Sequence, residues 1–157
     1  MRLKIMIGLT VVILLVLNYS IYQKEEIIDK GEIVFLELAP VDPRSLIQGD
    51  YMRLRYEIES VADEANASPD VESGYMIVSV NEQHIASFVR FDDDSPLAEG
   101  EKRLYYHRSY NGLKIVPDSF FFQEGHADRY QNAKYGVFKF DDSGNHILTD
   151  LVDEPAS

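Results

Sequence analysis

The longest apolar stretch of the chain lies at its N-terminus. Residues 5–17 read IMIGLTVVILLVL, and the near-apolar character continues to Tyr22. A helix of this length can cross the roughly 30 Å hydrocarbon core of a membrane, and Tyr19 and Tyr22 suit its interface with water. We therefore predict a cytoplasmic N-terminus over residues 1–4 and a transmembrane anchor over residues 5–22.

Two other interpretations of this segment stay open. A cleaved signal peptide requires small residues after the apolar run, and Asn18-Tyr19-Ser20 fits that requirement poorly. A core helix of a soluble protein would show a polar face, and no such face interrupts the run. Arg2 and Lys4 precede the apolar residues. Because positive charge tends to stay inside, we expect a single-pass protein of a bacterial cytoplasmic membrane, with everything after the helix outside.

The rest of the chain consists of short β-like runs separated by turn residues. Residues 51–59 read YMRLRYEIE, in which apolar and charged positions alternate. This period of two predicts a strand that has one buried face, formed by Met52, Leu54, Tyr56 and Ile58, and one solvated face. Further runs at 31–38, 75–80, 85–91, 103–110, 113–116, 119–122, 135–140 and 146–152 also predict strands.

Turn residues predict where these strands reverse. Asn111-Gly112 is the pair that a tight type I′ hairpin turn prefers. Residues 81–84 and 142–145 join two further predicted hairpins. Residues 60–74 are small, polar and acidic and predict a loop, whereas residues 125–134 predict one short helix.

These elements predict a mainly β domain over residues 31–153. Many short strands at regular spacing favour a small antiparallel barrel or sandwich built of hairpins, here with one short helix. Residues 23–30 are expected to be a juxtamembrane linker and residues 154–157 a tail.

The charge balance narrows the possible partners. The formal net charge is -12, which argues against a nucleic-acid or anionic-lipid binder, because both need basic surface. It fits a solvated face, a basic partner or a cation. The chain has no cysteine, so disulfides and thiolate chemistry are excluded. No phosphate-binding loop, dinucleotide fingerprint or G-x-S-x-G motif occurs, and we predict no cofactor.

Two sequence blocks resemble a known family. Residues 49–56 read GDYMRLRY, which fits the motif that names the GDYXXLXY family, and the block around residues 121–136 is similar to the family's second block. The motif residues, whose role is structural or binding, are Gly49, Asp50, Tyr51, Leu54, Tyr56, Phe122, Gln123, Glu124, Gly125, Tyr130, Tyr135 and Gly136. The resemblance implies a bacterial membrane-anchored protein without assigned biochemistry, and it suggests a multi-pass membrane protein as partner.

Two carboxylates in these blocks are candidates for chemistry. Asp50 could act as a general base or cation ligand, but a lone carboxylate in a turn more often accepts backbone N–H groups. Glu124 could be catalytic, or it could pair with an arginine or tie down the start of the predicted helix. The histidines show no zinc-binding spacing, so we predict no metal. The acidic runs at 92–94 and 141–145 fit no EF-hand loop.

One enzyme class stays as an alternative. A single N-terminal anchor before an external β domain is also the layout of type I signal peptidases, and residues 45–50 are similar to the segment after their nucleophile. Asp42 stands near the position of their serine, so the nucleophile is missing. Ser45 combined with Lys102, Lys114 or Lys134 could replace it.

We therefore predict a membrane-anchored, extracytoplasmic binding or accessory domain that is not an enzyme. The alternative is a catalytically altered or inactive signal-peptidase-like domain. Arginine and tyrosine are enriched where proteins contact one another. The predicted contact surface is therefore the solvated face that carries Arg53 and Arg55, together with Tyr51 and the aromatic second block.

Overall fold

An N-terminal helix and a β-rich domain make up the described parts of this computed structural model, which are residues 2–40, 47–48, 51–65, 72–110 and 112–155. The mainly β class predicted from the sequence is confirmed. The elements in chain order are α1 (Arg2–Lys30), β1 (Glu32–Glu37), β2 (Ile47–Gln48), β3 (Tyr51–Arg53), α2 (Glu57–Glu64), β4 (Ser73–Val80), β5 (Ala86–Phe91), β6 (Glu101–Ser109), β7 (Gly112–Ile115), β8 (Ser119–Phe121), α3 (Ala127–Tyr130), β9 (Tyr135–Phe140) and β10 (His146–Val152).

Helix α1 is long and apolar enough to cross a membrane between Lys4 and Lys30, and its most apolar window is not buried by the domain. The helix continues without a break through residues 23–30, the segment predicted as a linker. Its last turn is supported by an ion pair between Lys30 Nζ and Glu26 Oε1 at 2.9 Å. The helix therefore leads directly to the β-rich domain.

Gly31 makes this direct connection possible. Its N–H donates to the carbonyl oxygen of Ile27 at 2.8 Å, and its own carbonyl oxygen accepts a hydrogen bond from Lys139 Nζ at 3.1 Å. A Cβ atom at this position would collide with the Ile27 carbonyl oxygen and approach that of Phe140. A residue without a side chain is therefore required where α1 meets β1.

The described strands form three sheets whose internal pairings are all antiparallel. Their strand orders are β1-β9-β10, β2-β3-β8 and β5-β4-β6-β7. Isolated bridges between Phe35 and Ile85 and between Leu38 and Tyr56 connect β1 and the residue that follows it to the rest of the domain. The result is a curled half-barrel.

Large aromatic residues fill the interior of this half-barrel. Tyr56, Tyr106, Phe138 and Phe140 are among the largest fully buried side chains. In strand β9, every second residue is buried, namely Gly136, Phe138 and Phe140, because side chains of a pleated strand point alternately to its two faces. The core lies between the sheets.

The prediction of a strand over Tyr51–Glu59 is wrong after Arg53, where β3 ends. Residues 57–64 form the helix α2, so the first residues of the predicted loop at 60–74 are helical and the last belong to β4. Met52, Leu54, Tyr56 and Ile58 are nevertheless all buried, as the alternation predicted. Ile58 fits both the period of a strand and the period of a helix, because Ala62 follows it one helical turn later and is also buried.

The other local predictions agree more closely with the structure. Asn81 Oδ1 accepts the N–H groups of Gln83 and Ile85, which closes the β4–β5 hairpin. Asn111 lies outside the described residues, and Gly112 after it has a φ of 100°, which suits glycine. The helix predicted over 125–134 is shorter and covers only Ala127–Tyr130.

Candidate binding site

The two sequence blocks meet in the fold. Strand β3 of the first block pairs with β8, which leads into the second, so that Tyr51 lies opposite Phe121 and Met52 opposite Phe120. The ring of Tyr56 packs against that of Phe138 with centroids 5.6 Å apart. Residues separated by more than sixty positions therefore build one structural unit.

Several motif residues of this unit are core residues. Leu54 is buried, and Tyr56 is fully buried with its hydroxyl donating to the carbonyl oxygen of Pro117 at 2.8 Å. Burial raises the pKa of the Tyr56 phenol, with smaller contributions from Glu59 and Asp118. Gly136 lies against the Tyr56 ring, where a Cβ would come within 3.3 Å of Cε1. These residues stabilise the fold.

The second block also packs mainly with itself. Tyr130 is buried and contacts the rings of Phe120 and Phe122 at centroid distances of 5.1 and 5.5 Å. Tyr135 is half-buried, with its ring edge toward Phe35 at 6.5 Å. Because aromatic pairs of this kind add to the energy of burial, these tyrosines contribute to the packing of the domain.

Of the two candidate carboxylates, only Glu124 lies within the described residues. Gly49 and Asp50 lie outside the described part of the chain. Gln123 and Glu124 are exposed, and the turn that contains them continues through Gly125, whose φ of 83° favours glycine. Glu124 lines neither of the two grooves described next.

A groove with a volume of about 330 Å³ lies at the far end of β1 from α1. Residues 37–40, 52–55 and 131–134 line it, and we refer to it as the basic groove. Met52 and Leu54 are buried beneath it, whereas Arg53, Arg55 and Lys134 are exposed. Both arginines of the predicted contact surface therefore line one concave surface with a lysine that the sequence did not associate with them.

Aromatic side chains lie beside this groove. On the outer face of the β3–β8 pair, Phe121 is 75% exposed and its ring lies 5.7 Å from that of Tyr51. Arg53 is two residues from Tyr51 on the same strand and therefore on the same face. Exposed aromatic residues next to arginine have the composition of protein–protein contact surfaces.

A second groove, with a volume of about 850 Å³, lies between the last turns of α1 and the domain. Residues of α1 from Ser20 to Lys30, together with Val116, Pro117 and the β9–β10 turn, line this helix groove. Glu26, Glu32, Asp141 and Asp142 give it an acidic character that Lys24 and Lys30 partly offset. It differs from the basic groove in both size and charge.

His146 is the titratable ring of the helix groove, and sequence patterns did not identify it. Its nitrogens lie 3.3 Å from the Gly144 carbonyl oxygen and 3.2 Å from that of Val116. The ring stacks on Phe140 with centroids 5.1 Å apart. Burial lowers the pKa of His146, although the two carbonyl groups and Asp141 oppose the shift.

Glu59 is a buried carboxylate that the sequence prediction placed in a strand. Its oxygens accept the Ile115 N–H at 2.9 Å and a Lys114 Nζ proton at 3.2 Å. Burial raises the pKa of Glu59, while the hydrogen bond from Ile115 and the charges of Lys114 and Arg55 oppose that shift. Because both hydrogen-bond partners lie on β7, this carboxylate fixes α2 to β7.

The lysines of the peptidase alternative are dispersed. Lys102 pairs with Glu32 at 2.7 Å, and Lys114 pairs with Glu59 at 3.2 Å. Lys134 lines the basic groove. Asp42 and Ser45 lie outside the described residues.

The acidic turns use their oxygens internally. Asp92 pairs with Arg103, and Asp141 accepts the backbone N–H groups of Ser143 and Asn145. Within the described ranges, no group of three or more histidine, aspartate or glutamate side chains could hold a metal ion.

Comparison with known proteins assigns a family without adding a biochemical activity. The family model described as GDYXXLXY protein matches residues 13–151. No curated protein matches the chain, and neither does any solved structure. The match includes most of α1 and extends to β10, so it covers both sequence blocks and both grooves.

Proposed function

Because the chain belongs to the GDYXXLXY family, we propose that it is a binding or accessory domain that α1 tethers to the outer face of a bacterial cytoplasmic membrane. The proposed partner is a multi-pass membrane protein. The proposed contact surface is the basic groove with Arg53 and Arg55 and the neighbouring face of Tyr51 and Phe121. No catalytic step is assigned to the domain.

The exposure of α1 is the observation that carries this proposal. Apolar side chains from Ile5 to Tyr22 remain about half exposed or more, and the domain buries none of the most apolar window. Such a surface is unfavourable in water and favourable in hydrocarbon. An intact α-helix also satisfies its backbone hydrogen bonds internally, as a bilayer demands.

The tether would also raise the effective concentration of the domain near a membrane partner. Gly31 is the single residue between α1 and β1, so no longer linker separates the helix from the domain. The helix groove would lie close to the membrane. The basic groove would lie about 20 Å farther along β1, at roughly 3.3 Å per residue.

The tether is tested by cysteine labelling of the full chain in intact bacterial cells. The chain has no cysteine, so Ser143→Cys and Leu3→Cys each introduce a single reactive group. A membrane-impermeant maleimide should label position 143 in intact cells and position 3 only after permeabilisation. Release of the chain by carbonate washing, or the reverse labelling pattern, would contradict the tether.

The partner is tested by photo-crosslinking from the native membrane. A photo-reactive amino acid at position 53 should give an adduct with a membrane protein. The same group at position 89 on β5 is the control, since Val89 is 42% exposed and lies outside the basic groove. Identical adducts from both positions, or no adduct from position 53, would refute the proposed contact surface.

A further inference from the structure

The lysine and arginine side chains of the β-rich domain are mostly engaged within it. The ion pairs join Arg90 to Glu101, Lys102 to Glu32, Arg103 to Asp92, Lys114 to Glu59 and Arg129 to Asp150. Lys139 donates a hydrogen bond to the Gly31 carbonyl oxygen, and Arg108 also takes part in a non-covalent interaction within the chain. From Gly31 onwards, three described lysine or arginine side chains have neither an ion pair nor a side-chain hydrogen bond with another described residue. They are Arg53, Arg55 and Lys134.

These three cations converge on the basic groove. The chain segment that follows β1 holds the backbones of two of them, Lys134 and Arg55. The Leu38 N–H donates to the Lys134 carbonyl oxygen at 2.8 Å, and the Ala39 N–H donates to the Arg55 carbonyl oxygen at 2.8 Å. Lys134 and Arg55 therefore flank the same two residues, although they are far apart in the sequence.

We infer that the basic groove binds an acidic segment of the partner protein, in which carboxylate side chains alternate with apolar ones. This inference rests on the proposed binding function and specifies its ligand. The carboxylates would pair with Arg53, Arg55 and Lys134. The apolar side chains would lie over the groove floor and against the exposed ring of Phe121.

Charge complementarity supports a carboxylate ligand. A guanidinium group can donate two parallel hydrogen bonds to one carboxylate, which gives both strength and geometric selectivity. The chain as a whole carries a formal charge of -12, so most of its surface repels an acidic segment. The described lining of the groove carries these three cations against one carboxylate, that of Glu37, so it is a local cationic site that would direct the segment to one place.

A protein segment fits this position better than lipid headgroups do. The groove lies at the end of β1 that is farther from α1, about 20 Å along the strand, whereas lipid phosphates would lie next to α1. Lysine and arginine are scarcer in the outer loops of membrane proteins than in the cytoplasmic loops. We therefore expect acidic side chains to be the main charged groups of a partner's outer loops.

Fluorescence anisotropy with the full chain in detergent micelles tests this inference. The probe is a dye-labelled heptapeptide in which leucine alternates with glutamate, and its control contains glutamine in place of glutamate. We expect the glutamate peptide to bind at least tenfold more tightly, and we expect added salt to weaken its binding.

Variants identify the groove as the binding site. The double substitution Arg53→Gln and Arg55→Gln should weaken binding of the glutamate peptide at least tenfold. The corresponding Arg→Lys double variant should retain part of the affinity, because it keeps the charge and loses the paired donors. Lys24→Gln is the matched control, since it removes one positive charge outside the groove and should leave binding unchanged. Circular dichroism verifies that each variant is folded.

Several outcomes would overturn the inference. One is equal binding of the glutamate and glutamine peptides, and another is unchanged binding in the double glutamine variant. Stronger competition by polyphosphate than by unlabelled glutamate peptide would point to a different polyanion. Binding that appears only after Asp42→Asn or Asp50→Asn would assign the groove to the chain's own carboxylates. If position 53 crosslinks to a membrane protein but the glutamate peptide does not bind, the acidic ligand is refuted and the proposed binding function still stands.

Discussion

The two grooves at opposite ends of β1 differ in how their polar side chains are used. In the helix groove, His146 contacts two backbone carbonyl groups and an aromatic ring, and Lys30 is paired with Glu26. In the basic groove, Arg53 and Lys134 are exposed and have no ion pair with another described residue. The first arrangement is that of side chains that stabilise a fold, and the second is that of side chains available to a ligand.

This difference suggests a way to separate residues that stabilise the fold from those of the proposed contact surface. Tyr56 belongs to the motif and lies between the grooves. Its backbone forms a bridge with Leu38 beside the basic groove, and its hydroxyl contacts the Pro117 carbonyl oxygen beside the helix groove. We therefore expect substitutions in the core to have the largest effects on stability and substitutions in the basic groove to have the smallest.

Tyr56→Ala should have the largest effect. Removing a fully buried aromatic ring leaves a cavity and an unsatisfied carbonyl, and we expect the free energy of unfolding to fall by about 3–5 kcal/mol. Tyr56→Phe removes only the hydroxyl and should cost about 1 kcal/mol. Urea denaturation measures both. Tyr110→Ala is the control, because Tyr110 is completely exposed. A loss below about 1 kcal/mol in Tyr56→Ala would show that the ring is not a central core residue.

Gly31→Ala should have the next largest effect, at the junction that lines the helix groove. The new methyl group would collide with the Ile27 carbonyl oxygen, and backbone atoms cannot move aside as a flexible side chain can. We expect a loss of about 1–3 kcal/mol in urea denaturation of the full chain in micelles. Gly8→Ala is the matched control, since no atom lies within 4 Å of its added Cβ. Equal stability of the two variants would mean that the junction is looser than its contacts indicate.

The sequence predicted features that depend on neighbouring residues. The hairpins formed by β4 and β5, by β6 and β7, and by β9 and β10 were predicted correctly, because their turn residues are adjacent in the chain. The alternation from Met52 to Ile58 predicted the correct buried face. It did not predict the helix, because the hydrogen bond from Ile115 that fixes Glu59 joins residues far apart in sequence.

The candidate site was predicted only in part for the same reason. Arg53 and Arg55 were identified as a contact surface from their alternation with apolar residues. Lys134 joins them through two hydrogen bonds to Leu38 and Ala39, which local patterns do not encode. The net charge favours a basic partner or a cation, whereas the distribution of ion pairs favours an acidic ligand at this one groove.

A smaller effect is expected from the titration of His146. Because the folded protein lowers the pKa of this imidazole below 6.5, the unfolded chain takes up a proton first as the pH falls. The stability that neutral His146 provides is therefore complete above pH 6.5 and decreases as the pH falls below that value. In urea denaturation between about pH 5 and pH 8, the stability of the unchanged chain relative to His146→Gln should decrease as the pH falls below 6.5.

The control for this comparison is His126→Gln, because His126 is exposed. Glu59, whose pKa burial raises, contributes stability in the opposite direction, with the largest contribution at low pH. This contribution is common to all three proteins and cancels in the difference. Parallel pH profiles for His146→Gln and the unchanged chain would show that the helix groove does not hold the imidazole in its neutral form.

The smallest effect on stability is expected from the double substitution Arg53→Gln and Arg55→Gln. The change takes the formal net charge from -12 to -14, since two positive charges are lost. Both side chains are exposed, and their backbone hydrogen bonds are unaffected, so the free energy of unfolding should change by about 0.5 kcal/mol or less. Urea denaturation measures this change, and Lys24→Gln provides the comparison for loss of charge elsewhere. A loss above about 1.5 kcal/mol would mean that the arginines stabilise the domain. The contrast between the two grooves would then disappear, because both would be structural.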